Sequence, residues 1–112
     1  MTKKRLLPDD RKLEILNAAI KVAGRPGGWS KLTRDAVAKE AGCADGLVSK
    51  YFGTMISFRR SIMRAAIRLA ELGSIPPAIY DSVIAQGLAA GDKCAQKADP
   101  ELKARALNTL AG

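Results

Sequence analysis

The residues able to do chemistry in this chain gather in one stretch, Leu32 to Phe52, LTRDAVAKEAGCADGLVSKYF. They are hydroxyls and cations rather than acid–base or nucleophilic pairs. Lysine and arginine donate to phosphate oxygens or to guanine O6 and N7, serine and threonine bond to either, and small apolar side chains meet thymine methyls. Thr33, Arg34, Ser49 and Lys50 are of the first kinds, whereas Ala44, Gly46 and Leu47 carry no hydrogen-bonding side chain and leave apolar contact as their only readout. Lys50 is the best single candidate for a guanine contact, with Ser49 and Arg34 beside it. Catalysis has nothing to work with: the 112 residues hold no histidine, and no paired carboxylates, phosphate loop or metal-ligand cluster stands out. The expectation is therefore no enzyme, no cofactor and no metal. Cys43 and Cys94 lie far apart and read as reduced thiols, Cys43 as a small buried hydrophobe.

What positions these residues is a pair of helices joined by a tight turn. Thr33 is a good N-cap, and Val37, Ala38 and Ala41 recur at one-turn spacing behind it. Gly42 ends that helix where a left-handed backbone is easiest, and Ala44-Asp45-Gly46 restarts the chain, with Asp45 suited to a positive helix end. A turn of about three residues makes helices cross at about 90–120°, the helix-turn-helix geometry; an ordinary αα-corner shares part of this pattern. Val37, Ala38, Ala41, Cys43, Val48 and Tyr51 fall inward, leaving Asp45, Gly46, Leu47, Ser49 and Lys50 outward.

Charge divides the chain in the same way. Residues 1–68 carry 15 Lys/Arg against 6 Asp/Glu, and residues 69–112 carry 4 against 5, within a net charge of +8. A basic first part suits a polyanionic partner. MTKKRLLPDD has too short an apolar run for a signal peptide. No stretch approaches the ~18 apolar residues of a membrane helix, so a cytoplasmic protein without membrane partners is expected.

Around the central pair, Lys3-Lys4-Arg5 form a basic arm, and Asp9 or Asp10 caps a first helix whose stripe is Leu13, Leu16, Ile20 and Ala23, widened by Ile15, Ala19 and Val22. Trp29 is a core plug with its N–H bonded. The Thr54 hydroxyl caps a long helix from about Met55 to Leu72, with apolar stripes at Met55, Phe58, Ile62, Ala65 or Ala66, and Leu69, and at Ile56, Met63, Ile67 and Ala70. Arg60, Arg64 and Arg68 run between the stripes, Arg59 beside them. Gly73 to Pro77 is a boundary. A fifth helix follows it, and Asp99-Pro100-Glu101 opens a sixth. Ile79, Val83, Ile84, Leu88, Leu102, Leu107 and Leu110 are too many large apolar residues for two short helices to enclose, which predicts a homodimer interface there. The organisation read is a head over 1–54 and a linker helix with dimerisation region over 55–112, forming one compact unit.

From Arg11 to Ile62, ILNAAIKVA, then Trp29 to Thr33, then DAVAKEAGCADGLVSKYFGT resembles the DNA-binding head of the TetR family of repressors. The resemblance covers about half of the chain. It implies an all-α fold with a three-helix head, a long fourth helix and C-terminal helices that pair the subunits. It also implies that Thr33 and Thr54 hold phosphates and that residues 44–51, Tyr51 included, enter the major groove of double-stranded DNA. Ser49 stands where the family usually has tyrosine and Met55 where it usually has lysine, leaving Lys50, Arg59 or the N-terminal arm as replacement backbone contacts. Only about 40 residues follow the fourth helix, little for a drug-sized pocket of ~300 Å³ or more. Control by concentration or by a protein partner is therefore favoured over a small-molecule inducer. The reading is a homodimeric, sequence-specific repressor on a palindromic operator; the alternative is a helix-turn-helix module that docks a protein through its basic face.

Overall fold

A computed structural model of the chain describes residues 8–72 and 77–111. Among these residues there are seven α-helices and no strand: α1 Pro8–Ala23, α2 Arg34–Ala41, α3 Asp45–Phe52, α4 Met55–Glu71, α5 Pro77–Ala89, α6 Lys93–Gln96 and α7 Pro100–Ala111. The arm Lys3-Lys4-Arg5, residues 73–76 and the side chains of Asp9, Asp45 and Leu110 lie outside the described residues. No described helix is long and apolar enough to cross a membrane.

α4 is the central element. Its buried residues are Phe58, Ile62, Met63, Ala66 and Ala70; α1 and α3 pack against it from the head, and α5 and α6 from the C-terminal part. Both expected stripes are therefore used, except that Ile56, assigned to the second, is 74% exposed. Arg60, Arg64 and Arg68 occupy the exposed side.

The apolar face of α1 is rotated from the sequence expectation. Leu13 is 59% exposed, whereas Ile15, Ala18, Ala19, Ile20, Val22 and Ala23 are buried. Neighbours decide this: α2, α4 and α5 all pack on α1, and small Ala18 and Ala19 allow close approach on an arc that excludes Leu13.

The larger correction concerns the C-terminal helices. α5 packs on α7, α4 and α1, and Val83, Ile84, Leu102 and Ala106 join one continuous core with Ile15, Val37, Val48 and Phe58. Ile79 and Leu88 are half-buried against the same core. The chain encloses by itself much of the surface expected to need a second subunit. Two features make this possible. The short α6, absent from the sequence reading, is capped by Asp92, whose Oδ2 accepts from Ala95 N at 2.9 Å, and it lays Ala95 into the core. α7 then folds back on α5, where the buried Asp81 carboxylate accepts from Arg105 Nε at 3.0 and 2.9 Å.

Candidate nucleic-acid interface

The turn between α2 and α3 is Gly42-Cys43-Ala44, three residues as expected. Thr33 Oγ1 accepts from Ala36 N at 3.1 Å and so caps α2. At the other end Gly42 has φ 74° and ψ 34°, a left-handed conformation in which a side chain strains the backbone. Cys43 N then donates to Ala38 O at 3.0 Å, closing the last turn of α2. Val37, Ala38 and Val48 are buried beneath the pair.

α3 follows with Ala44 as its N-cap residue and no side-chain cap bond. Of the residues expected to face outward, Gly46 and Lys50 are exposed, as is Ala44. Ser49 is half-buried, and Leu47 and Tyr51 are half-buried with their apolar parts against the core. Leu47 thus belongs partly to the packing that seats α3. Lys50 has no hydrogen bond or ion pair among the described residues. Phe52 stacks on Phe58, ring centroids 4.9 Å apart, and joins the end of α3 to α4. The Thr54 cap between them accepts from Ser57 N at 3.1 Å. A capping hydroxyl uses only its oxygen, so Thr33 and Thr54 each keep an O–H donor at the exposed head surface.

Two cations in the expected contact set are turned into the protein instead. Arg59 Nη1 donates to Trp29 O at 2.6 Å and Nη2 to Leu32 O at 3.4 Å, with the guanidinium 5.0 Å from the Trp29 ring centroid. Burial lowers its pKa from the ordinary arginine value, against the opposing charge of Asp92. Its place beside the indole, off the exposed row of Arg60, Arg64 and Arg68, makes it a fold residue rather than a free phosphate donor. Arg34 Nη2 donates to Gly53 O at 3.2 Å, tying the start of α2 to the bend before α4, and its Nε is buried without a partner. Trp29 is buried, as expected; the bond it donates to Gln86 Oε1, at 2.9 Å, comes from its backbone N–H.

Three of the head's acids are matched already among the described residues. Glu14 pairs with Arg11, Glu40 with Arg25 and Asp35 with Lys39. Lys12, Lys21, Lys31, Lys50 and Arg60 are all exposed cations without such partners. The described part of the head therefore carries uncompensated positive charge.

Two open surface grooves lie elsewhere. One of about 260 Å³ is lined by Arg64, Ile67, Arg68, Glu71, Cys94 and Lys97; another of about 560 Å³ is lined by Ala70, Glu71, Asp99, Glu101, Leu102 and Arg105. No known protein-family model, curated protein or solved structure matches the chain.

Proposed function

We propose that this protein is a sequence-specific, double-stranded DNA-binding transcription regulator with a TetR-like head, acting as a homodimeric repressor on a palindromic operator. The observation that carries the reading is the tight αL-glycine turn followed by α3, with Ala44, Gly46 and Lys50 outward and Val48 buried beneath. In that arrangement α3 enters the major groove. Thr33, Thr54 and the unmatched lysines hold the backbone, and Lys50 and Ser49 reach base edges. Leu13, Ile56, Leu72 and Leu107 remain as exposed large apolar side chains for subunit pairing, a smaller basis than the sequence alone suggested.

Selection of bound duplexes from a random pool tests the reading, followed by a salt titration on the selected and a random duplex. The expected result is an enriched inverted repeat, with binding that falls steeply as salt rises and retains a preference for the selected site. No enrichment, together with salt-sensitive capture of an acidic protein instead, would favour the docking-module alternative. An enriched site without two-fold symmetry would remove the homodimer from the proposal.

A further inference from the structure

Ser82 and Gln86 lie one turn apart on α5 and meet the end of α1. The last carbonyls of a helix lack intrahelical donors and are normally satisfied by the residues that follow or by water. Here another helix satisfies those at the junction. Ser82 Oγ donates to Gly24 O at 2.8 Å, and Gln86 Nε2 donates to Ala23 O at 2.8 Å and Arg25 O at 3.0 Å. Gln86 Nε2 also reaches Ser82 Oγ at 3.1 Å, while Gln86 Oε1 accepts from Trp29 N at 2.9 Å. The approach is close: a Cβ on Gly24 would lie 2.6 Å from Ile79 Cγ1 of α5.

The same connector is held from α4. Arg59 takes Trp29 O and Leu32 O and covers the indole. Residues 23–32 are thus gripped from two helices, and the next residue, Thr33, is the cap of α2. Few side chains other than glutamine can do what Gln86 does. A carboxylate would face carbonyl oxygens without a proton to give, and an apolar side chain would leave the Trp29 N–H and the Ala23 carbonyl short of partners, while Arg25 O would keep only its bond from Gly28 N at 2.7 Å.

We propose that Gln86, with Ser82 and Arg59, is a positioning residue for the reading helix: it fixes the α1–α2 connector, and through it the placement of α2 and α3. α5 is then a working part of the DNA-reading head. This rests on the DNA-binding proposal, whereas the clamp itself can be measured without DNA.

The test uses the full chain, comparing Gln86→Leu and the milder Ser82→Ala with the unaltered protein. Amide hydrogen exchange reads the connector. Affinities for a duplex selected by the unaltered protein and for a random duplex read the head. For Gln86→Leu, amides of residues 25–33 should exchange about tenfold faster, with the centre of α4 unchanged. The Kd for the selected duplex should rise about tenfold, as expected for loss of one or two net hydrogen bonds, and that for the random duplex by less than about twofold. A loss of folded fraction alone would change both duplexes equally. Ser82→Ala should show the same pattern at about threefold in each readout, and it decides the matter if Gln86→Leu does not fold. Unchanged exchange at 25–33 overturns the clamp. Faster exchange with unaltered affinity and selectivity overturns the positioning role. If the unaltered protein selects no duplex, the DNA reading and this role fall together, and exchange alone decides whether the clamp holds the connector.

Discussion

At the scale of single residues, side chains of one chemical type do opposite work depending on what their helix faces. Lys50 stands exposed on α3 without a partner, so Lys50→Ala should weaken binding to the selected operator by about 1–3 kcal/mol and relax preference at one position per half-site. Equal weakening on every duplex would make it a phosphate contact, and no change would remove it from the interface. The Asp81–Arg105 pair is the contrasting case. Asp81 is buried, and its hydrogen bond is the largest cause raising the pKa of Arg105 above the ordinary value. Arg105→Met leaves a buried carboxylate without that donor and should cost about 1–3 kcal/mol in urea unfolding. The double variant Asp81→Leu/Arg105→Met should recover part of that loss; a double variant no more stable than Arg105→Met would show that the carboxylate is not what the single change strands. Thr33 and Thr54 were legible as caps because capping depends on local spacing. Arg59 was not, since its partners Trp29 and Leu32 are 30 and 27 residues away and nothing in the local pattern separates it from Arg60.

At the scale of elements, the turn that defines the α2–α3 pair depends on one backbone conformation. Gly42 has positive φ and open space around its Cα, so Gly42→Ala meets no steric neighbour and its cost is that of the left-handed backbone alone. The expected loss is about 1–2 kcal/mol, with Gly42→Asn losing less. Thermal or urea unfolding of the two variants checks the order, and an alanine as stable as glycine would mean that the turn can relax. Most helix positions followed from caps, glycines and prolines, which act within a few residues; α1 instead begins at Pro8, so that Asp9 and Asp10, expected as its cap, lie within its first turn. The buried face of α1 did not, because the amphipathic pattern left several arcs open and the packing of α2, α4 and α5 selected one. α6 escaped for a similar reason: four residues after an Asp cap are too few to show a period.

At the scale of the molecule, the head and the C-terminal helices share one core that draws on α1 through α7. Val83, Ile84, Leu102 and Ala106 are packed with head residues, so removing residues 77–112 exposes Met63, Ala66 and the end of α1. The shortened chain should lose most of its helical circular dichroism at 25 °C and fail to unfold cooperatively. A stable, cooperative fragment would restore the head as an independent domain. The trans-capping of α1 by α5 bears on how the protein is made. The Ala23 carbonyl must wait for Gln86, 63 residues later, so during synthesis the end of α1 stays without this donor until α5 has left the ribosome. A stalled or prematurely ended polypeptide therefore carries the basic sequence without the rigid turn. Such a chain exposes apolar surface that the finished core would cover and is a substrate for proteases.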